Sequence, residues 1–207
     1  MISAQDALQK LREGNARFVS GSNFQGEPEN HSHQFKSLQQ QEPSAIILGC
    51  SDSRVPPELI FDQGIGDLFV ARVAGNIVTP AQTGSIEFAA EKFGSRLVVV
   101  LGHTMCGAIR ATLDELANPA PSRTGNLHSI VEAIRPCLSP LIKVSPQAGE
   151  DPAMREAMCE NVRFSVQQLQ QQSAILRNHI DSKGMEILGA EYCVATGVVN
   201  FLEPTAG

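Results

Sequence analysis

Two short apolar runs limit the fold of this chain more than any other feature of its 207 residues. Residues 45–49 (AIILG) and 97–101 (LVVVL) contain only apolar residues and glycine, with no alternation of polar positions. Continuous runs of this length are typical of parallel strands that helices bury on both faces. A third run at 68–73 and helical stretches near 57–62 and 82–92 alternate with them. This order predicts βαβ units with right-handed crossovers in an α/β fold.

Metal-binding residue types directly follow two of these runs. Cys50 comes after the first run, and His103 and Cys106 come after the run that starts at Leu97. Ligand sites form at the carboxyl ends of parallel strands, at the point where strand order reverses. If the third strand pairs with the first and the second lies outside, Cys50 and Cys106 flank that point. Two thiolates and an imidazole favour zinc, so we expect a zinc site there.

The sequence leaves the fourth zinc ligand open. Three protein ligands leave a position for water or substrate, whereas a structural site usually has four. Asp52 is the nearest further candidate, and Arg54 is its rival partner. Pairing with Arg54 would leave the position to a water that zinc activates, while binding of Asp52 to zinc would close the site. Because two thiolates weaken the activation, we expect activity to rise toward alkaline pH. Ordinary buried cysteines or a closed structural zinc site are the alternative interpretations.

Three segments closely resemble the β-class carbonic anhydrases, namely 50–56 (CSDSRVP), 66–76 (GDLFVARVAGN) and 102–108 (GHTMCGA). Further likeness at 41–43 and 189–199 extends the resemblance over nearly the whole chain. It implies a mostly parallel central sheet with flanking helices, N-terminal helices and a C-terminal strand extension. It also implies reversible hydration of carbon dioxide to bicarbonate and a proton by a zinc-bound hydroxide. The residues assigned by the resemblance are the zinc ligands Cys50, His103 and Cys106, with Asp52 as a possible fourth ligand in a closed state, and the catalytic pair Asp52 and Arg54.

The resemblance also implies groups that hold bicarbonate. The backbone amide of Gly107 occupies the position after the second ligand cysteine, where family members bind a bicarbonate oxygen. A helix predicted over 108–116 places its free N-terminal amides beside the metal, which favours an anion there. Family members often place a glutamine near the metal, and Gln63 is the candidate here.

Two aromatic residues complete the expected substrate site. Phe69 and Phe88 stand where family members line the carbon dioxide pocket, although plain core aromatics are an equal alternative. Some bacterial members have a second, inhibitory bicarbonate pocket built with a tryptophan at the position of Ile47. Since this chain contains no tryptophan, we do not expect that pocket.

We expect a single domain over residues 1–207, with an N-terminal helical arm over 1–41 and an α/β core over 45–207. In the second half of the chain, proline predicts that one helix stops at Pro136, and a second, long helix should follow. The chain then returns to the sheet as a strand and its hairpin partner. The expected bounds are 127–134 and 153–182 for the helices and 186–194 and 198–202 for the strands.

Composition limits the partners. The net charge of −6, from 16 basic and 22 acidic side chains, provides no basic patch for nucleic acid, and no apolar run is long enough to span a membrane. Five cysteines without disulfide-like spacing favour a reducing compartment. We therefore expect a cytoplasmic protein, or a periplasmic one if a leader has been removed. The resemblance implies a homodimer or homotetramer with the active site at the subunit interface.

Two other functions remain open at this point. Close relatives of the family hydrolyse carbon disulfide or carbonyl sulfide, and the metal ligands do not distinguish these substrates from carbon dioxide. A non-catalytic zinc protein, acting as a scaffold or redox sensor, is the other alternative. The presence of both Asp52 and Arg54 argues against it, because a structural site has no use for a group that holds its neighbour off the metal.

Overall fold

A computed structural model describes residues 2–22, 41–118, 125–142 and 152–203. The remainder of the predicted N-terminal arm, residues 23–40, lies outside the described residues. No helix among the described segments is both long and apolar enough to cross a membrane. In chain order, the elements are α1 (Ala4–Ser20), β1 (Ala45–Gly49), α2 (Pro57–Ile60), β2 (Leu68–Arg72), a 3-10 turn (Ala74–Asn76), α3 (Pro80–Phe93), β3 (Leu97–His103), α4 (Gly107–Ala117), α5 (Leu127–Ile142), α6 (Pro152–Gln172), α7 (Ala174–Lys183), β4 (Glu186–Tyr192) and β5 (Val199–Phe201).

The strands form one sheet in the order β2-β1-β3-β4-β5. The first four are parallel, and β5 is antiparallel to β4. This confirms the predicted mostly parallel sheet with a C-terminal strand extension. Since β1 pairs with β2 on one side and β3 on the other, chain order reverses between β1 and β3, as predicted. Every residue of β1 and β3 is buried.

Helices cover both faces of the sheet, which explains why the central strands are apolar throughout. Ile47 and Val99 face the side covered by α1, where Leu11 is fully buried. Ile46 and Val98 face the opposite side, which is covered by α3, α6 and α7. A third apolar cluster joins α4, α5 and α6 and includes the two predicted ligand cysteines, Cys50 and Cys106.

The prediction that a helix stops at Pro136 is wrong. Helix α5 continues through Pro136 and Pro140. Each proline removes a backbone N–H and disfavours the helix interior by about 3 kcal/mol. The helix continues because Ile134 and Leu138, on either side of Pro136, are fully buried against α4 and α6.

The single long helix predicted over 153–182 is two helices, α6 and α7, broken at Ser173. Ser173 has extended dihedral angles (φ −104°, ψ 114°), and its hydroxyl accepts a hydrogen bond from the Leu176 amide at 3.0 Å. The same hydroxyl donates to Glu87 of α3 at 2.6 Å. Serine is a favoured N-cap, so the break starts a new helix that ends, as predicted, at Gly184.

Helix α6 packs directly on β3 at Gly102, next to the predicted ligand His103. A Cβ added at Gly102 would lie 2.4 Å from Val162 Cγ2 and 2.7 Å from Met158 Sδ. No side chain fits between the helix and the strand at this point. The close approach of α6 therefore requires glycine immediately before His103.

Candidate metal centre

The three predicted metal ligands lie together at the carboxyl edge of the sheet. Cys50 directly follows β1, His103 ends β3, and Cys106 is the N-cap of α4. Their ligand atoms all lie within 4.8 Å of one another, and all three residues are buried. Strand pairing of β1 with β3 explains the arrangement, because it brings the ends of the two strands side by side.

His103 presents one ring nitrogen for a ligand. Its Nδ1 lies 2.9 Å from the carbonyl oxygen of Thr104, which favours a proton on Nδ1 and a free lone pair on Nε2. Nε2 is buried and has no hydrogen-bond partner among the described residues. A buried polar atom without a partner costs about 1–3 kcal/mol, and a metal ion would remove that cost. The donor set and this nitrogen therefore fit zinc.

The two thiols share their protons unequally. A hydrogen bond from Cys106 and another from the Gly75 amide lower the pKa of Cys50 to about 4 against the opposing effect of burial. The Gly75 amide nitrogen is 3.3 Å from the Cys50 sulfur. The same Cys50–Cys106 hydrogen bond, together with burial, raises the pKa of Cys106. A thiolate at Cys50 is therefore favoured over a thiolate at Cys106.

Asp52 is paired with Arg54 beside these ligands. Arg54 Nε donates to Asp52 Oδ1 at 2.9 Å, and Nη2 donates to Oδ2 at 2.8 Å. The backbone amide of Arg54 also donates to Oδ1 at 3.0 Å. These bonds hold the pKa of Asp52 well below its usual range, so the carboxylate stays ionised. This is the arrangement that the open interpretation of the site predicts.

A second arginine, which no motif in the sequence singles out, fixes the loop between Cys50 and Asp52. Arg72, at the end of β2, donates from Nε to the Cys50 carbonyl at 2.8 Å and from Nη2 to the Asp52 carbonyl at 2.6 Å. Arg54 makes a further bond from Nη2 to the Met105 carbonyl at 3.3 Å, which links the two ligand loops. In the sequence, the only indication of a role for Arg72 is its position in the segment 66–76 that resembles the family.

Gly107 lies next to the metal ligands, as predicted. It is the first residue of α4 and follows Cys106 directly. A Cβ added to Gly107 would have no contact within 4 Å among the described residues outside its own helix, so these residues leave the space beside it open. Free amides at the start of a helix favour anions.

The structure does not bring Gln63 or the two aromatic residues to the ligands within one chain. Gln63 is buried and donates to the carbonyls of Phe61 and Asp62. Phe69 pairs with Ile46, four residues before Cys50, which is roughly 13 Å along the strand. Phe88 and Phe93 pack on Phe69, with ring centroids 6.2 Å and 6.0 Å away. Phe88 is 52% exposed, so this aromatic cluster reaches the surface.

This fold and this site define a class of protein, the β-class carbonic anhydrases. The chain superposes on the β-carbonic anhydrase CafA of Aspergillus fumigatus with a TM-score of 0.77, covering 86% of this chain and 85% of that chain at 25% identity. A tetrameric β-carbonic anhydrase of Sordaria macrospora has the same fold, with a TM-score of 0.70, 23% identity and coverage of 84% and 92%.

Sequence comparison then gives the family of this particular chain. A family model described as carbonic anhydrase matches residues 45–199. The carbonic anhydrase of Mycolicibacterium smegmatis is 39% identical over 195 residues, which are 93% of this chain and 90% of the relative. The chain belongs to the β-carbonic anhydrase family, as the resemblance implied, and is a carbonic anhydrase enzyme.

Proposed function

We propose that this protein catalyses the reversible hydration of carbon dioxide to bicarbonate and a proton, with zinc held by Cys50, His103 and Cys106. The observation that carries the proposal is the Asp52–Arg54 pair beside a buried Cys-His-Cys cluster. Zinc bound by three protein ligands lowers the pKa of a water in its fourth position, to about 7 in favourable sites. The protein's own residues then have to orient that water and hold the product.

Asp52 orients the attacking water. Its Oδ2 lies 4.0 Å from His103 Nε2, so the carboxylate borders the position that the metal would take. Because Arg54 keeps Asp52 ionised, the carboxylate accepts a hydrogen bond and cannot donate one. Arg54 also holds both carboxylate oxygens, which keeps Asp52 from becoming the fourth ligand.

The start of α4 binds the product. Bicarbonate is an anion that forms beside Cys106, where the helix begins. The free amides of the first turn, among them that of Gly107, and the positive end of the helix dipole stabilise a negative charge. The open space in front of Gly107 leaves room for the ligand.

We include a homodimer or homotetramer in the proposal. The aromatic cluster of Phe69, Phe88 and Phe93 lies far from the ligands of its own chain and reaches the surface at Phe88. An apolar surface of this kind suits contact with a second subunit, whose carbon dioxide pocket Phe69 and Phe88 would line. The Sordaria macrospora protein with this fold is tetrameric. The Nε2 group of Gln63 is bonded to the carbonyls of Phe61 and Asp62, while its buried Oε1 has no partner among the described residues, so the role of Gln63 near the metal stays a prediction.

One assay tests the function. Stopped-flow hydration of carbon dioxide is measured on protein whose zinc content is determined in the same sample, with carbon disulfide and carbonyl sulfide as competing substrates. We expect turnover of carbon dioxide in proportion to bound zinc. Faster turnover of either sulfur compound would assign the site to the alternative hydrolase. Zinc-loaded protein without turnover of any of the three would support a non-catalytic zinc protein.

A further inference from the structure

The Cys50 sulfur receives a hydrogen bond from a buried turn. The amide of Gly75, in the 3-10 turn Ala74–Asn76, points at the Cys50 sulfur with an N–S distance of 3.3 Å. Gly75 has a left-handed backbone (φ 70°), and a Cβ there would lie 2.7 Å from Ile134 Cδ1 and 3.1 Å from Ala108 Cβ. The amide direction therefore depends on a glycine backbone confined by α4 and α5.

Helix α6 holds this turn from behind. Asn161 is 1% exposed, and its Nδ2 donates to the Gly75 carbonyl at 2.8 Å. One helical turn later, the hydroxyl of Ser165 donates to the Asn76 carbonyl at 3.2 Å. Two buried side chains of α6 thus satisfy consecutive carbonyls of the turn that carries the Gly75 amide.

The orientation of the Asn161 amide is fixed by the Gly75 carbonyl. A carbonyl oxygen only accepts, so the amino group of Asn161, and not its Oδ1, must face it. Asn161 Oδ1 then lies 3.8 Å from the sulfur of Cys137, whose thiol donates to the Ile134 carbonyl at 3.0 Å. A hydrogen-bonded path therefore runs from Asn161 to Gly75 and from Gly75 to the sulfur of Cys50.

We propose that Asn161 is a positioning residue for the metal centre, which acts by holding Gly75 so that its amide points at the Cys50 sulfur. Partners behind metal ligands orient those ligands, and their loss weakens metal binding by about 10- to 100-fold. Asn161 contacts neither metal nor substrate, so its effect passes through Gly75. The inference rests on the proposed function only for the identity of the metal.

The test uses zinc and cobalt with the full-length protein. In Asn161→Leu and Asn161→Ser, we expect the zinc dissociation constant, measured by competition with a chelator, to rise about 10- to 100-fold. In the cobalt-loaded variants, the sulfur-to-cobalt charge-transfer band should move to longer wavelength, because a thiolate that loses an N–H donor gives up electron density more easily. If the leucine variant does not fold, the serine variant decides by the same two measurements.

Asn15→Leu is the matched control. Asn15 is also a buried asparagine that bonds to backbone, donating to the carbonyls of Ile60 and Gly197 and accepting from the Val199 amide, on the α1 side of the sheet. The Asn15→Leu substitution should lower the melting temperature without changing the zinc affinity or the wavelength of the cobalt band. The proposal is overturned if the Asn161 variants show the wild-type zinc affinity and an unshifted band. Wild-type protein that binds zinc but does not hydrate carbon dioxide would remove the proposed function alone, since neither measurement depends on turnover.

Discussion

Arg54 holds both carboxylate oxygens of Asp52, with donors 2.9 Å from Oδ1 and 2.8 Å from Oδ2. The guanidinium is also bonded to the carbonyl of Met105, which lies between His103 and Cys106. The pair thus ties the loop after β1 to the loop after β3. Its geometry keeps an ionised carboxylate beside the predicted metal ligands, with an arginine donor on each carboxylate oxygen.

Asp52→Asn should separate metal binding from catalysis. The three ligands are untouched, so zinc content should stay at the wild-type level. Turnover should fall about 100-fold or more, because the amide cannot replace the carboxylate as an ionised acceptor. Stopped-flow hydration and metal analysis on one preparation measure both effects. Unchanged turnover would remove Asp52 from the mechanism.

Arg54→Gln should close the site. Asp52 loses its two side-chain hydrogen bonds to the guanidinium and becomes free to bind zinc as a fourth ligand. A crystal structure of the zinc-loaded variant should show an Asp52 oxygen about 2.0–2.2 Å from the metal, and activity should fall with it. Arg135→Gln is the control, because Arg135 also pairs with two carboxylates, Glu115 and Glu132. A fully active Arg54→Gln variant with Asp52 off the metal would contradict the proposed role of Arg54.

The stability of the metal-free protein should depend on pH through the two ligand thiols. The folded pKa of Cys50, about 4, is below its unfolded value of about 8.5, so its contribution is complete above pH 8.5 and is lost as pH falls toward 4. The raised pKa of Cys106 acts in the opposite sense and destabilises the fold above pH 8.5. Thermal unfolding of chelator-treated protein should therefore show a melting temperature that rises from pH 6 to pH 8. Cys50→Ser should flatten this rise, and an equal slope in both proteins would refute the assignment.

Ser173→Ala should destabilise the fold without affecting the metal. The substitution removes the N-cap of α7 and the hydrogen bond to Glu87, at a cost of about 0.5–2 kcal/mol. The free energy of unfolding, measured in denaturant, should fall by this amount. Ser182→Ala, which changes an exposed hydroxyl late in the same helix, should stay within about 0.5 kcal/mol of wild type. Equal stability of the two variants would mean that Ser173 does not cap the helix.

The clustering of Cys50, His103 and Cys106 could be predicted because these residues lie at the ends of strands with a clear apolar pattern. Cys50 and His103 are fixed by the strands that precede them, and parallel pairing alone brings those strand ends together. The helix bounds around Pro136 and Ser173 were wrong for a different reason. Local propensity favours a helix break at Pro136, but burial of Ile134 and Leu138 keeps the helix continuous there. Local propensity favours no break at Ser173, but the hydrogen bond from Ser173 to Glu87 stabilises one.

Residues that support the site from a distance left no signal in the sequence. Asn161 lies 86 positions from Gly75, and its role depends on how closely α6 packs on the 3-10 turn. Arg72 could be noticed in the sequence only because it lies in the segment 66–76 that resembles the family. Its partners are backbone carbonyls, which every residue has, so no residue type in the sequence indicates them. The roles of Phe69 and Phe88 depend on a second subunit and stay predictions.

Because Gly102 has no side chain, α6 packs directly against β3 next to the predicted metal ligands. Val162 and Met158 of α6 contact the strand at Gly102, so the distance between this helix and the sheet determines the position of His103. The same helix places Asn161 within hydrogen-bond distance of the Gly75 carbonyl. An alanine at Gly102 would push this helix outward and misalign an imidazole and a thiolate together. A substitution at Gly102 should therefore reduce activity while every predicted catalytic and ligand residue stays in place.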